Sequence, residues 1–531
     1  MTNNASRPKA SGYSDAGAST TRRALKAFLP NSNSPNEDIN WNNATLRQRS
    51  RMLYMSTPVA ASAIDTNRTK AIGVGLTMKP TVDRKILGIS PEYAKDWQTK
   101  TEAEFKLWAD KKQNCDALGI NNFKNLQQLG MKSWLMNGDA FAVIKHVKPT
   151  LQNPYSLRIH LIEADRVSTP HKFFSGYGSY AITDGRVPDG QPGAGHRIYD
   201  GVEVDDNGCI VAYHVSNHYP FEIGTDPLVW TRVEAYGART GMPNILQIMD
   251  SERAEQYRGV PYLAKVIEPL LQIRRFTESE LVAALIQSFF TAWIETQTDP
   301  SSIPMNEVGA GDIGDDPAGS ETDNDISHSE SEYEMGPGTV LHLSEGETVH
   351  FGNPNIPTAG FDTFVKVICR MMGAALEIPA EALLKEFNSS YSASRAALLE
   401  LWESVSMRRS WYVDSFCQPI YELWLSEAVA IGRIKAPGFF NDPLIRAAWC
   451  GARWIGPVQG SLDPQKEANA YITLINNGLM THEQASTQLG NGDFEENIDQ
   501  LMRENELLRQ AGATMTAPAS EPDPKQKGDD E

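Results

Sequence analysis

Cysteine is scarce in this chain of 531 residues: there are five, at 115, 209, 369, 417 and 450. They lie far apart, and no two form a C-x-x-C pair. That excludes the common zinc and redox motifs and fits a reducing compartment. No Gly-Lys dipeptide occurs anywhere, so a Walker A phosphate loop is absent. G-x-S-x-G and H-E-x-x-H are also missing. Positive charge is in deficit: 49 Lys and Arg face 67 Asp and Glu, for a formal net charge of −18. A surface that grips nucleic acid throughout is thereby excluded, because such grip comes from cations neutralising phosphates. Long apolar runs are lacking too. The densest, "LVAALIQSFFTAWI" at 281–294, is too short to span a bilayer and is expected to pack against protein.

What is present suits a folded protein of several domains: 40% hydrophobic and 22% charged residues over a length that exceeds one core. Residues 1–38 read as a disordered basic arm, with Arg7, Lys9, Arg22, Arg23 and Lys26 against Asp15 up to Pro30. The stretch 41–72 predicts two helices broken at Thr57-Pro58, since proline suits a first helical position. Helices are also expected at 92–111 and 121–136. Their apolar spacing (Trp97, Phe105, Trp108; then Phe123, Leu126, Leu129, Trp134) marks core-facing stripes. The middle changes period. "DAFAVIKHV" (139–147) and "LRIHLIEADRV" (157–167) alternate as strands do, and a hairpin follows around Asn207-Gly208, read as supplying positive φ angles. The fold class is therefore α+β.

A helix is then predicted over 261–296, kinked at Pro269 and about 54 Å long if continuous. Its second half carries almost no charge, so it requires cover on nearly all sides, with neighbouring subunits a source. From Asp299 to Glu334 there are eleven acids and no Lys or Arg, which marks an exposed irregular insertion. It lacks the spacing of a calcium loop. A strand pair is expected within 338–352, turning at Glu345-Gly346. The next helix, 359–379, has an apolar stripe of Phe361, Phe364, Val365, Ile368, Met372 and Leu376, with Lys366 and Arg370 four apart on one face. A polar connector, "NSSYSAS", leads to a long helix from Ser392 to Ile431. Short helices fill 464–507, one starting at Asp463-Pro464 and one with a Thr481/Gln484 capping box.

No catalytic constellation emerges. His214 and His218 are four apart on a predicted strand, too far apart to chelate one ion readily. Asp205-Asp206 suits turn chemistry. The serines at 389, 390, 392 and 394 have no base arranged near them by sequence. No cofactor or metal is implied. What remains is an apolar helix and a second helix with basic residues on one face, flanking an acidic insertion. That layout fits a subunit whose paired helices line a wall made with its neighbours. A DNA-processing enzyme with a nonlocal active site and a membrane channel are the readings from other classes. The first needs clustered acids near a basic groove, the second a longer apolar helix.

Four stretches carry a resemblance to the tailed-phage portal proteins of the lambda family, over roughly 40–505. They are "LRQRSRMLYMSTPVAASAIDTNRTKAIGVGL" (46–76), "RGVPYLAKVIEPLLQIRRFTESELVAALIQSFFTAWI" (258–294), "NSSYSASRAALLELWE" (388–403), and "SLDPQKEANA" with "GLMTHEQASTQLGNGDFEEN". The third resembles the family's Tyr-Ser-x-x-Arg-x-x-Leu-Leu segment through Tyr391, Ser392, Arg395, Leu398 and Leu399. The fourth departs from the family at Leu462, where Trp usually precedes Asp-Pro.

The resemblance implies a portal-type fold with wing, helical stem, clip insertion and helical crown, assembled as a ring of usually twelve subunits. It implies a wing at 39–260, stem helices at 261–296 and 358–378, and a clip with the acidic insertion at 297–357. A tunnel loop at 379–395, a long wing and crown helix region at 396–460, crown helices at 461–508 and a disordered tail at 509–531 complete it. The implied partners are other copies of the chain, double-stranded DNA in transit, the terminase large subunit, the head–tail connector and capsid or scaffold proteins, with no membrane. The implied location is the virion vertex, and the host cytoplasm during assembly. DNA must slide through such a ring, so a mostly acidic channel needs only sparse basic points. Lys366, Arg370, Lys385 and Arg395 are expected to supply some of them. Asn388, Ser389, Ser390 and Tyr391 would form the constricting loop.

Overall fold

The computed structural model describes residues 17–19, 22–28, 30–173, 184–220, 222–223, 226–289, 292–296, 347–351, 360–387, 390–459, 464–489 and 494–510. The acidic insertion at 299–334 and the expected strand at 338–344 lie outside them, as do the N-terminal arm up to residue 16 and the tail after 510. The chain divides into two compact units. One runs to Leu270 and resumes at Cys369; the other is Leu271–Ile368.

The first unit opens with α1 (Pro35–Ser56), fixed by a capping box. The Ser34 hydroxyl accepts from the Glu37 N–H, and the Glu37 carboxylate accepts from the Ser34 N–H. Thr57 ends it and Pro58 starts α2 (Pro58–Ala71), as the sequence predicts. A short strand β1 (Thr77–Pro80) and the one-turn helix α3 (Arg84–Leu87) lead to α4 (Pro91–Ala109). The one-turn α5 (Lys112–Cys115) and α6 (Phe123–Asn137) follow. Trp97, Phe105, Trp108, Phe123, Leu126 and Trp134 are buried, whereas Leu129 is exposed and leaves the expected stripe. Phe105 is the hub: its ring meets Phe123 edge-on at 5.7 Å and Trp424 edge-on at 5.1 Å. Such geometry adds to what burial alone contributes.

Both expected strands form: β2 (Asp139–His146) and β3 (Leu157–Glu163) pair antiparallel. A five-stranded antiparallel sheet follows, of β4 (Asp184–Arg186), β5 (Arg197–Tyr199), β6 (Val202–Val204), β7 (Ile210–Ser216) and β8 (Trp230–Glu234). β9 (Ile245–Met249) then returns to the open edge of β2, giving the order β3-β2-β9. The β6–β7 turn contains Asn207-Gly208, but Gly208 alone of the two has positive φ, at 82°. Asp205 does the rest, its carboxylate accepting from the N–H groups of Asn207 and Cys209. Phe141, Ile162, Val202, Val204, Tyr213 and Ile245 form a shared core of strand residues.

A buried ionic knot ties these parts together. Arg258 is fully buried; it reaches Asp139 at 2.6 Å and Asp200 at 2.8 Å, and donates to the carbonyls of Ala164 and Val167 at 2.9 Å. Arg47 of α1 bonds Asp200 at 2.9 Å. Burial alone would raise the Asp139 carboxyl, but Arg258 and Arg47 hold it below the ordinary carboxylate range.

The helix expected over 261–296 is shorter. It is α7 (Ile267–Phe289), preceded by a single 3₁₀ turn at Ala264–Val266. Pro269 falls in its first turn, where a missing N–H costs nothing, so no full α-helical turn precedes it to be kinked. Residues 292–296 are strand, not helix: β10 (Ala292–Thr296) pairs antiparallel with β11 (Glu347–Phe351). Within the second unit, Phe276 of α7 stacks on Phe361 at 5.4 Å and meets Phe364 at 4.9 Å. Both belong to α8 (Phe361–Leu376), which continues into the first unit.

The short α9 (Ala380–Leu384) leads to α10 (Tyr391–Tyr412). The long helix expected to run to Ile431 is interrupted by a widened turn at Val413–Cys417, where the Gln418 N–H reaches back five residues to Val413. Pro419, lacking an N–H, lies just beyond, at the start of α11 (Gln418–Ala430). Then come α12 (Pro443–Cys450) and β12 (Ala452–Ile455), which pairs with β1 across most of the chain length. The C-terminal helices are α13 (Pro464–Asn476), α14 (His482–Leu489) and α15 (Phe494–Gln510). Thr481 and Gln484 form the expected capping box at α14. Among the described residues no helix is long and apolar enough to cross a membrane.

Candidate functional site

The candidate residues follow one path: α8, the connector, and the start of α10. Lys366 and Arg370 sit one turn apart on α8, on one face as their spacing requires. Lys366 is paired with Asp362 at 2.8 Å along the same helix, while Arg370 is exposed. Lys385 follows α9 in the left-handed region, at φ 57°, with its backbone N–H closing the last turn on the Glu381 carbonyl. Its ammonium donates to the hydroxyl of the buried Thr66 on α2 at 3.3 Å. Asn388 and Ser389 lie outside the described residues, as does the side chain of Tyr391.

Ser390 is the N-cap of α10: its hydroxyl accepts from the Ala393 N–H and lies 3.3 Å from the Ser392 hydroxyl. This is helix-starting chemistry, not nucleophile activation. Arg395 stands half-buried on the first turns of α10. The charges along the path mix signs. Asp362, Glu377, Glu381 and Glu386 stand among Lys366, Arg370, Lys385 and Arg395.

The connector springs from a braced base. At the end of α8 the Leu376 carbonyl accepts from the Tyr262 hydroxyl and from Arg408, the latter at 3.4 Å. Glu377 takes a left-handed conformation, at φ 53°. Its carboxylate pairs with Arg408 at 2.6 Å and its carbonyl accepts from Ser404 at 3.2 Å. Arg408 also donates to Asn67 at 3.1 Å, and Ser62 donates to the Leu383 carbonyl at 2.7 Å. Burial pushes the Tyr262 hydroxyl up to about 12, so it remains a donor across the physiological range. Helices α2 and α10 thus hold the short helix α9 from both ends.

Sequence reasoning missed this bracing, Arg408 above all. Arg408 lies within the long helix expected from Ser392, with no role assigned to it. Yet Leu401, Val405, Arg408 and Tyr412 are all buried, and their spacing is that of one helix face. A charged residue on an apolar stripe was the available signal. Arg409 is likewise consumed internally, donating to the carbonyls of Lys70, Ala71 and Pro457 at 2.6–2.8 Å. It thereby caps the C-terminal end of α2. Among the described residues, no group of three or more His, Cys, Asp or Glu side chains could hold a metal ion.

The family description "Phage portal protein, lambda family" matches residues 21–409, from before α1 to near the end of α10. The chain is similar to portal protein B of Escherichia phage lambda, 23% identical over 92% of this chain and 88% of that one. It is similar to the portal protein of Escherichia phage N15, 24% identical over 92% and 89%. Among solved structures it is similar to a chain of the neck of a native GTA particle computed with C12 symmetry. That match is 11% identical, with a TM-score of 0.39 over 85% of this chain and 93% of that one. With a match across most of its length and relatives aligned nearly end to end, the chain belongs to the lambda family of phage portal proteins, structural components of the virion rather than enzymes.

Proposed function

We propose that the chain assembles as a ring, of twelve copies as is usual in its family, at one vertex of a phage capsid. Double-stranded DNA is packaged and later ejected through the central channel. In this reading residues 39–260 form the wing, and α7 with α8 supplies the stem. The segment between them, including β10 and β11, is the clip on which the terminase large subunit and then the head–tail connector dock. Residues 379–395 are the tunnel loop, and the helices from 396 to 508 build the remaining wing and crown. Assembly takes place in the host cytoplasm with capsid or scaffold proteins.

One observation carries the reading beyond family membership. In the second unit, α7 and α8 pack through Phe276, Phe361 and Phe364, yet large apolar side chains stay uncovered. Leu281 is 64% exposed and Phe364 49%, and Val282, Leu285 and Val367 are exposed as well. Such residues on two adjacent helices mark an association surface. Neighbouring copies in a closed ring supply repeated cover for it. The mixed charge of the connector suits transit, since DNA must meet few strong cations to keep sliding.

Charge reversal tests the channel assignment. Lys366→Glu, Arg370→Glu, Lys385→Glu and Arg395→Glu, made in assembled procapsids, are expected to change packaging rate or DNA retention. Rates and retention equal to wild type for all four would remove these residues from the channel.

A further inference from the structure

A cavity of about 120 Å³ lies in the first unit, between the end of α8, the far half of α10 and the chain that follows β9. It is open to solvent, with Trp411 37% and Met407 41% exposed among its lining residues. Three carboxylates and two cations line it. Lys265 pairs with Glu252 at 2.9 Å and Arg408 with Glu377 at 2.6 Å. Asp250 is left without an ion-pair partner among the described residues. Burial, with Glu252 close by, pushes its carboxyl above the ordinary value. The cavity is therefore short of one positive charge, and the indole rings of Trp134 and Trp411 in its wall favour a cation further.

The complement lies ahead of α1. Residues 22–26 form a single turn, the N–H groups of Leu25 and Lys26 donating back to the Arg22 carbonyl at 3.0 and 2.9 Å. Arg22, Arg23 and Lys26 are all exposed on it, and none has an ion pair among the described residues. Phe28, just beyond, is 70% exposed. The chain then passes the cavity of its own copy, where the Asn33 carbonyl accepts from Arg253, next to Glu252, at 3.2 Å. Even so, the basic turn stays off that cavity and keeps its cations in solvent.

We infer that the turn at residues 22–28 of one copy seats on this cavity of a second copy, with the Lys26 ammonium at Asp250. Lys26 carries the compact cation, which suits a space of this size better than a planar guanidinium. The inference rests on the ring reading. Copies around a rotation axis meet through unlike surfaces, so each gives its turn to one neighbour and its cavity to the other, and the contact repeats until the ring closes.

Carbodiimide crosslinking of the full-length chain tests it, since the reagent joins a carboxylate to a lysine amine only where the two touch. Unlabelled and heavy-nitrogen copies are mixed, concentrated, treated, imaged by electron microscopy and digested for mass spectrometry. The Glu252–Lys265 pair within each copy reports that the reagent has acted. The expected result is a Lys26–Asp250 link that includes light peptide joined to heavy. It should vanish in Lys26→Gln and in Asp250→Asn while the Glu252–Lys265 link persists. A Glu252–Lys265 link with no Lys26–Asp250 link overturns the contact, as does a Lys26–Asp250 link confined to peptides of one isotope, which would place the turn on its own cavity. Rings without the link would sink the contact and leave the ring. The link between copies in particles that are not rings would keep the contact and sink the ring.

Discussion

Glu203 is a fully buried carboxylate surrounded by donors. Arg232 reaches its two oxygens at 2.8 and 2.9 Å, His196 stands at 2.8 Å and His214 at 3.1 Å. Burial alone would raise its pKa, but the bonds from His214, Arg232 and His196 carry it down to about 2 from an ordinary 4.5. A depressed carboxylate stabilises the fold fully above its unfolded value, and that contribution is lost as pH falls through the folded one. The stability from Glu203 is therefore expected to drain away between pH 4.5 and about 2. Glu203→Gln should lower the melting temperature at neutral pH and flatten the acid limb over that window. Melting curves for the variant that overlay wild type from neutral to acid would refute the role assigned to Glu203. Neither this cluster nor the Arg258 knot was legible in the sequence. Arg258 lies 119 residues from Asp139, and nothing local to either marks the other.

At the scale of elements, features closed by local chemistry were legible. The break at Pro58, the capping box at Thr481 and the strands at 139–146 and 157–163 each rest on neighbours within a few residues. The expected helix over 261–296 failed at its far end because the short apolar run there fits helix and strand alike. Its partner, Glu347–Phe351, is about fifty residues away and decides the matter. The helices that carry the candidate residues, α8 and the start of α10, were readable, while the bracing by Tyr262, Ser62 and Arg408 was not, because its partners are distant in sequence. That bracing depends on a glycine. A Cβ on Gly373 would lie 2.4 Å from the Ile378 carbonyl oxygen, a backbone atom that cannot swing aside. Gly373→Ala would gain about 1 kcal/mol of helix propensity. The forced shift of the chain leaving α8 costs more, of order 1–3 kcal/mol. Net destabilisation is expected in thermal melting; an unchanged or higher melting temperature would show that the α8 exit is not tightly set.

At the scale of the whole molecule, exposed apolar side chains among the described residues are what the proposed ring has to cover. Apolar residues lie uncovered on α7 and α8 in one unit and on α15 in the other. Each copy carries a net charge of −18, which discourages random aggregation and a tight grip on phosphates. Lambda-family membership assigns the chain to the phage portal, and the ring is what would let these surfaces serve a channel. Electron microscopy of the purified full-length chain at increasing concentration tests this most directly. The account predicts closed rings of rotational symmetry with a central opening; particles that remain monomeric, or join only as open or irregular assemblies, would contradict it.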